Sequence, residues 1–473
     1  EVTMTTKPPK HFTSDEFREM GHSTIDWIAD YLEHLEERPV APDVKPGDVR
    51  ASLPERAPEA PEPFSDLLDD VNSLIAPAIT HWQHPGFFGY FSCNSSAPAI
   101  LGELLSAGFG INGMLWSTSP AATELETHML DWLLDLCDLP DCFRSDGKGG
   151  GVIQDSASSA SLCAILAARD RSGGALELPK LVAYTSTQAH SSIEKDVKIA
   201  GFSPDQLRKV EVDENFAMDP EELQRLINED KENGLIPCFI SATIGTTSSG
   251  AVDPIPAVAG IANEEGAWLH VDAAWAGSAA VCPEYRGLLE GIDKADSYAF
   301  NPHKWLLTNF DCTAFYVADS KPLVDSLSIV PEYLRNPASE AGEVIDYRDW
   351  QVPLGRRFRS LKLWFVLRSY GAEGLRSHIR HHVEAAESFA ERVAEHPKLA
   401  LSAPVSLSLV CFSHIDGDDA TKALQEALNS TGEVLLTHTV LDGKHVLRLS
   451  VGGTWTTSTH VERVSELIDE ILG

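Results

Sequence analysis

The stretch Asp296-Ser-Tyr-Ala-Phe-Asn-Pro-His-Lys-Trp305 places a lysine in an unusual setting. Its apolar run at 297–300 predicts a short buried strand, and Lys304 follows closely, between a histidine and a tryptophan. Burial disfavours the ammonium form of a lysine, so its pKa falls and the neutral amine becomes a usable nucleophile. Taken alone, a lysine beside a histidine is more often a surface residue, so the interpretation depends on its neighbours in the fold.

A carboxylate occupies a matching position earlier in the chain. The apolar run 267–271 predicts another buried strand, and Asp272 follows it directly. Pyridoxal phosphate requires such a pair, because a lysine binds its aldehyde and an aspartate keeps its pyridine nitrogen protonated. Lys304 and Asp272 together therefore predict a pyridoxal phosphate site.

The composition narrows the classes of partner. The chain has 473 residues, which predicts two or three domains, and 43% of them are hydrophobic, as in a globular protein. The net charge of -34 argues against nucleic acid and anionic membranes as partners, so an anionic cofactor needs a local binding site. No stretch reaches the roughly 18 apolar residues of a membrane helix, and no signal segment is evident.

The eight cysteines are scattered and form neither a CxxC pair nor a metal-finger spacing. Several lie inside apolar runs, where a cysteine behaves as a small buried hydrophobe. We therefore expect no metal site and no disulfide framework, and a reducing, cytoplasmic location.

The N-terminal segment, 1–85, is predicted to be helical and extended. Thr13-Ser-Asp-Glu16 is a capping box that opens a helix ending before Pro39. Residues 39–63 contain seven prolines, and a second helix is predicted at 65–79. Two helices and an extended strap bury little surface alone, so the segment must lie on something larger, such as a partner subunit.

The region 86–360 alternates between predicted strands and helices. The predicted strands lie at 152–154, 181–186, 209–212, 237–244, 267–271, 297–300 and 312–317. Strands that are buried on both faces and separated by helices predict a mostly parallel α/β sheet in a large domain. Ligands bind at the carboxyl ends of such strands, where Lys304, Asp272 and His190 are all expected.

The pattern changes beyond 361, and 361–473 is predicted to form a small α+β domain. A long helix is expected at 373–396. The remaining predicted elements are strands at 405–412, 433–439 and 445–451 and helices at 418–429 and 457–472. Asp442-Gly443 is a strong hairpin signal between the last two strands.

Further polar groups are expected near the same edge of the large sheet. Gly149-Gly-Gly151 precedes a strand and Ser156-Ala-Ser-Ser159 opens a helix, a pattern suited to phosphate, although serine is also an ordinary helix cap. Asp155 would place a negative charge next to the phosphate dianion, which is unfavourable. His190 could stack on a ring or relay a proton, and Thr243–Thr247 offers hydroxyls, although a loop histidine and a Thr/Gly turn are common without function.

At seven places the sequence resembles the pyridoxal-phosphate-dependent aromatic-L-amino-acid decarboxylases of the group II family. The matching motifs are His84-Pro-Gly-Phe-Phe88, Ser119-Pro-Ala-Ala-Thr-Glu-Leu-Glu126, Gly149-Gly-Gly-Val-Ile153, Ala189-His-Ser-Ser192, His270-Val-Asp-Ala-Ala274, Asn301-Pro-His-Lys-Trp305 and Pro353-Leu-Gly-Arg-Arg-Phe-Arg-Ser360. They follow in order along nearly the whole chain, so the resemblance is specific. It implies the type I fold of pyridoxal phosphate enzymes and a homodimer with active sites at the subunit interface.

The resemblance also implies roles for individual residues. Lys304 would bind the cofactor aldehyde, Asp272 would pair with the pyridine nitrogen, and His190 would stack on the ring. The other implied cofactor-binding residues are Ala157, Ser158, Thr247, Ala274, Ser297, Asn301 and His303. Tyr333 matches the loop tyrosine that protonates the substrate carbon. Aldehyde-forming relatives replace that tyrosine or the stacking histidine, and this chain keeps both, which favours simple decarboxylation.

The implied substrate is an aromatic L-amino acid: tryptophan, tyrosine, phenylalanine or dopa. The implied side-chain pocket consists of Trp82, Tyr90, Phe91, Ser92, Cys93, Met114 and Gly355, with Met114 coming from the other subunit. Gly355 resembles the aromatic members and makes room for an indole, whereas histidine-specific and phenol-specific relatives tend to carry serine there. Plain core packing is the alternative for Trp82 and Phe91.

Three other functions stay open at this point. The chain could decarboxylate a non-aromatic acid such as glutamate, or act as an aromatic aldehyde synthase. Outside the enzymes, it could be a silent interaction protein with the same fold, a reading motivated only by Asp155.

Overall fold

The computed structural model of the protein describes residues 11–329 and 344–473. Its strands are β1 (Gly150–Gln154), β2 (Leu181–Ser186), β3 (Leu207–Val210), β4 (Ile236–Thr243), β5 (Trp268–Asp272), β6 (Ser297–Phe300), β7 (Thr313–Val317), β8 (Leu399–Leu401), β9 (Leu409–His414), β10 (Thr437–Leu441) and β11 (Lys444–Ser450). Its α-helices are α1 (Ser14–Glu33), α2 (Asp48–Ser52), α3 (Phe64–Asp70), α4 (Ala97–Phe109), α5 (Pro120–Cys137), α6 (Ala157–Arg171), α7 (Gly174–Glu177), α8 (Ser191–Ile199), α9 (Pro220–Glu232), α10 (Ile255–Glu265), α11 (Pro302–Trp305), α12 (Ser320–Leu327), α13 (Arg359–Glu395), α14 (Asp418–Ser430) and α15 (Ser458–Leu472).

A seven-stranded sheet forms the centre of the molecule, with strand order β1-β7-β6-β5-β4-β2-β3. Strands β3, β2, β4, β5 and β6 pair in parallel, and β7 runs antiparallel to both β6 and β1. The mostly parallel sheet predicted from the apolar runs is confirmed. Helices connect its parallel strands, so the carboxyl ends of β4, β5 and β6 lie side by side at one edge.

The smaller sheet is wholly antiparallel, with strand order β10-β11-β9-β8. The predicted hairpin between its last two strands is confirmed, and both turn residues, Asp442 (φ 49°) and Gly443 (φ 74°), are left-handed, as a tight hairpin requires. The sequence did not predict β8, and two strands begin later than predicted: β9 at Leu409 rather than 405, and β10 at Thr437 rather than 433. The division at 85 and 360 stays a prediction, and α13 runs across the second boundary.

The long helix begins earlier than predicted. α13 starts at Arg359, but its backbone is interrupted at Gly371, whose φ of 66° is left-handed. A glycine adopts this conformation without the steric cost that other residues meet. The helical periodicity therefore restarts after Gly371, which explains a predicted start at 373.

The N-terminal segment lies on the outside of the protomer. The capping box of Thr13 and Glu16 is confirmed, and α1 has no buried residue along its 20 positions. The strap is held at Val40, whose amide donates to the Gly432 carbonyl (2.9 Å) and whose carbonyl accepts from the His81 amide (2.8 Å). Among the described residues, no helix is long and apolar enough to cross a membrane.

Candidate active site

A cavity of about 180 Å³ opens at the carboxyl ends of β4, β5 and β6. It is lined by Ser156, Ala157, Ser158, His190, Ser192, Thr243, Gly245, Thr247, Asp272, Ala274, Trp275, Asn301, His303, Lys304 and Phe310. The structure thus brings together nine residues that were predicted from separate stretches of sequence. They are Ala157, Ser158, His190, Thr247, Asp272, Ala274, Asn301, His303 and Lys304. Asp155 is not among the lining residues.

Lys304 lies in the short helix α11, directly after β6. The side chain is largely buried, and in the described residues its amine has no hydrogen-bond or ion-pair partner. Burial lowers the pKa of Lys304, the charge of Asp272 opposes that change, and Arg448 adds to it. An amine that is buried, unpaired and easily deprotonated can form a covalent bond to an aldehyde.

Asp272 ends β5 and is almost fully buried. Its Oδ1 accepts from the Ala274 amide (3.0 Å), while Oδ2 accepts no hydrogen bond from any residue that the structure describes. This second oxygen can accept from a protonated ring nitrogen. A carboxylate placed in this way stabilises a neighbouring cation far better than it would in water.

His190 is the N-cap residue of α8, and its ring position is fixed locally. The Ser192 amide donates to His190 Nδ1 (3.2 Å), which leaves the ring proton on Nε2. Burial lowers the pKa of His190, Asp272 opposes the change and Lys304 supports it. The imidazole is therefore neutral near pH 7, as a ring that stacks on an aromatic cofactor or passes a proton should be.

The start of α6 can bind an anion. Ser156 caps the helix by accepting from the Ser159 amide (3.1 Å), and the first-turn amides of Ala157 and Ser158 have no helical acceptor. Unpaired amides and the positive end of the helix dipole both favour a phosphate. Across the cavity, Asn301 Oδ1 accepts from the Thr313 hydroxyl (2.9 Å), which leaves its amide hydrogens free to donate.

Ser297 does not line this cavity, and its contact with the cofactor stays a prediction. It begins β6, at the opposite end of the strand from Asn301, and is fully buried. Its hydroxyl accepts from Trp268 Nε1 (2.8 Å) and lies 2.9 Å from His270 Nδ1. Both its position and its hydrogen bonds make Ser297 part of the sheet interior.

Within one protomer, the predicted substrate residues lie in different surroundings. Trp82 and Tyr90 stack with ring centroids 5.5 Å apart and stay partly exposed, and Phe91 stacks at 4.8 Å on Trp275 of the cavity wall. Cys93 lies near Lys304: burial raises the pKa of the Cys93 thiol, and the charge of Lys304 opposes that change. Ser92 has no exposed surface, and its hydroxyl lies 3.5 Å from the Phe87 carbonyl oxygen, so its place in the pocket stays a prediction.

Met114 and Gly355 lie near each other but do not line the cavity of their own chain. The neighbouring amide of Gly113 donates to the carbonyl of Arg356 (3.0 Å), which joins the two segments. Tyr333 lies outside the described residues, and its role stays a prediction.

Sequence patterns did not reveal Arg448 as part of this region. Its guanidinium is buried and donates to the carbonyl oxygens of Ser248 (3.2 Å) and Tyr90 (3.1 Å), with no carboxylate at ion-pair distance among the described residues. Its uncompensated charge acts on Lys304. A single arginine in an alternating strand carries no signal in the sequence, because only the tertiary fold brings β11 to the cavity.

Asp196 is a buried carboxylate beneath the cavity. It lies one helical turn after Ser192, and Ser161 donates to its Oδ2 (2.6 Å) from α6. Burial raises the pKa of Asp196 to about 6, and the nearby Asp272 adds to the shift, while Ser161 and Lys195 oppose it. The folded protein therefore binds this proton more tightly than the unfolded chain does.

We expect Asp196→Asn to stabilise the cofactor-free protein at pH 8. Stability linked to a raised carboxyl pKa is full below the unfolded value of about 4 and is lost as pH rises through about 6. The shift of about two pKa units corresponds to at most about 3 kcal/mol. Urea unfolding at pH 5 and pH 8 measures this effect, with Glu194→Gln, an exposed carboxylate on the same helix, as the control. An equal difference from wild type at both pH values would contradict the prediction.

Comparisons with known proteins identify the family of the chain. Residues 46–415 match the family model described as the pyridoxal-dependent decarboxylase conserved domain. The chain is 49% identical to phenylacetaldehyde synthase of Arabidopsis thaliana, covering 98% of this chain and 96% of that protein. It is 46% identical to tyrosine decarboxylase 2 of Narcissus pseudonarcissus, covering 98% and 95%.

A solved structure shows the same fold. The crystal structure of Catharanthus roseus tryptophan decarboxylase in complex with L-tryptophan superposes with a TM-score of 0.94 at 42% identity, covering 98% of this chain and 99% of that chain. The match extends over both sheets and the N-terminal segment. With a family model that spans most of its length and relatives that cover nearly all of it, the chain belongs to the pyridoxal-dependent decarboxylases.

Proposed function

We propose that this protein decarboxylates aromatic L-amino acids to aryl amines and carbon dioxide, with pyridoxal phosphate as its cofactor. One observation carries the proposal: the unpaired amine of Lys304 and the free oxygen of Asp272 share one cavity at the edge of the large sheet. The family to which the chain belongs depends on this cofactor.

The cavity offers a suitable residue for each polar group of the cofactor. Lys304 would hold its aldehyde, Asp272 its ring nitrogen, and the first-turn amides of α6 together with Asn301 its phosphate. His190 would lie against the ring, with the remaining contacts from Thr247, Ala274 and His303. When bound, pyridoxal phosphate supplies an electron-poor ring that accepts the electrons left behind by the departing carboxylate.

The residues of the chain supply orientation and proton control. Asp272 would hold the proton on the ring nitrogen, because a buried negative charge makes loss of that proton unfavourable. Lys304 would hold the cofactor aldehyde, and its lowered pKa would favour the neutral amine whenever it is released. Tyr333 or neutral His190 would deliver the proton that completes the amine product.

The substrate class follows from the aromatic surroundings and from the family. Trp82, Tyr90 and Phe91 offer apolar faces beside Cys93, which suits a flat ring. The relatives named above act on, or are bound to, tyrosine and tryptophan according to their names. We therefore propose tryptophan, tyrosine, phenylalanine and dopa as the candidate substrates.

We further propose a homodimer in which each subunit completes the other's site. Met114 and Gly355 lie apart from the cavity of their own chain, so they would act from the partner subunit. The apolar residues that the protomer leaves exposed support a partner surface: Phe17 on α1 and Leu101, Leu104, Leu105 and Phe109 on α4. All eight cysteines are unpaired, which supports a cytoplasmic location.

Product analysis tests the reaction type. We expect the aryl amine and carbon dioxide in equal amounts, without ammonia or hydrogen peroxide, from tryptophan, tyrosine, phenylalanine or dopa. The second candidate, aromatic aldehyde synthesis, is favoured by the 49% identity to a phenylacetaldehyde synthase, and it would release both ammonia and peroxide. Glutamate or histidine as the only good substrate would refute the aromatic assignment.

We expect Gly355→Ser to reduce the use of tryptophan more than that of tyrosine. A Cβ built at Gly355 meets only Asn112 Nδ2 at 3.8 Å, so the larger side chain fits without strain in the protomer. The change would therefore act through the space left for an indole, and a lost methylene-sized space is worth about tenfold or more in kcat/KM. The measurement is the ratio of kcat/KM for the two substrates, and an unchanged ratio would contradict the assignment of Gly355 to the pocket.

A further inference from the structure

Asn94 follows Cys93 and lies fully inside the protein, just before α4. Its backbone amide and both polar atoms of its side chain bond to other segments. Its backbone amide donates to the His303 carbonyl (2.7 Å), its Oδ1 accepts from the Leu307 amide (2.9 Å), and its Nδ2 donates to the Gly452 carbonyl (2.7 Å). A buried polar side chain with short bonds on both sides has a strongly fixed position.

Two of these partners flank the proposed catalytic lysine. His303 precedes Lys304, and Leu307 follows it by three residues with a φ of 52°, a left-handed conformation that costs energy for a branched side chain. The Leu307 carbonyl is held as well, because it accepts from the Ser96 hydroxyl (2.6 Å). The segment 94–96 therefore maintains a strained turn immediately after Lys304.

The third partner belongs to the smaller sheet. Gly452 follows β11, and a Cβ at this position would lie 2.7 Å from Phe91 Cε1, so the loop packs directly on that ring. The same loop is fastened at Thr456, whose hydroxyl donates to the Pro85 carbonyl (2.9 Å). The side chain of Asn94 therefore bonds both to the loop after β11 and to the turn that follows Lys304.

We infer that Asn94 is a positioning residue, which fixes the Lys304 amine relative to the loop after β11 by bonding to both at once. The inference rests on the proposed function of Lys304. Only an amide side chain suits this place, because one end must accept from an N–H group and the other must donate to a carbonyl oxygen. A change in the position of the smaller sheet would therefore also change the position of the Lys304 amine.

Asn94→Asp provides a specific test, because it keeps the acceptor for Leu307 but turns the donor into an acceptor facing the Gly452 carbonyl. Burial raises the pKa of the introduced carboxyl, so lowering the pH protonates it and restores a donor. We expect kcat to fall about tenfold to a hundredfold at pH 8, since misplacing a reacting group by about 1 Å costs about a hundredfold. The deficit should shrink as pH falls towards 6.

Two further variants separate positioning from folding. Asn94→Ala should lose activity at every pH without the recovery in acid. Gly452→Ala should lower kcat by pushing the loop off Phe91, and the backbone conformation at this position suits alanine.

Asn429→Asp is the matched control. Asn429 also bonds on both sides, to the amide (2.8 Å) and carbonyl (3.0 Å) of Leu436, but lies far from the cavity in α14. The Asn429→Asp variant should change stability and leave the pH profile of kcat as in wild type.

The second readout is the pH at which the visible absorbance of the bound cofactor changes, because this titration reports on Lys304 without any substrate. We expect it to shift in Asn94→Asp and Gly452→Ala and not in Asn429→Asp. The inference is wrong if the cofactor absorbance changes at the same pH in wild type and in the Asn94 variants, and the variants differ only in melting temperature. The proposed function would still stand in that case. If wild type shows no bound cofactor at all, both are wrong.

Discussion

Lys304→Ala is expected to lower kcat by at least about a thousandfold, which corresponds to about 4 kcal/mol of activation free energy. The amine is buried, has no partner among the described residues and has a lowered pKa, so no neighbouring group can take its place. His303 is adjacent, but its pKa is lowered to about 3, chiefly by burial, and an imidazole does not form the required covalent bond. The loss should therefore persist at every pH.

The measurements are single-turnover kinetics and the visible spectrum of the protein mixed with pyridoxal phosphate. Wild type should show a coloured, covalently bound cofactor that borohydride fixes to the chain, and Lys304→Ala should show only free or loosely held cofactor. Lys294→Ala, an exposed lysine ten residues earlier, is the control and should behave as wild type. A coloured, borohydride-trapped adduct in Lys304→Ala would mean that another amine carries the chemistry.

Asp272→Asn is expected to lower kcat by about three to four powers of ten, or about 4–5 kcal/mol. The amide is nearly isosteric, and its oxygen can keep the bond from the Ala274 amide, so the fold should be retained. What is lost is the negative charge that keeps the ring nitrogen protonated, and a neutral amide cannot replace it in a buried site. The affinity for pyridoxal phosphate should fall far less than kcat, because the phosphate contacts are unchanged.

Asp253→Asn is a matched control for this second substitution. Asp253 is a buried aspartate near the same sheet edge, but its oxygens accept from the backbone amides of Met218 and Thr243 (2.7 Å each). Its removal should affect stability and leave kcat within a few-fold of wild type. Near-normal turnover in Asp272→Asn would refute the proposed role of the carboxylate.

Most of this site could be predicted from sequence because its residues follow buried strands. Apolar runs identify β5 and β6, and the rule that ligands bind at carboxyl ends then brings Asp272 and Lys304 together. The same rule sets Ser297 apart, because Ser297 begins β6 and lies four residue steps before Asn301, about 13 Å at the usual rise per residue.

Other residues had no local signal at all. Arg448 and Asn94 reach the region of Lys304 through contacts between segments more than a hundred residues apart, and no periodicity or spacing encodes such contacts. The left-handed φ of Leu307 is equally unpredictable, since leucine has no preference for that conformation. Strain of this kind is set by surrounding structure rather than by the residue that bears it.

Three glycines bear on any effort to redesign the substrate range. A Cβ at Gly245, whose φ is 82°, would lie 2.6 Å from the Cβ of Ala276, and Gly452 is blocked by Phe91. Gly355 has open space instead. Saturation mutagenesis libraries should therefore keep the first two positions fixed and diversify Gly355, where new side chains meet no clash within their own chain.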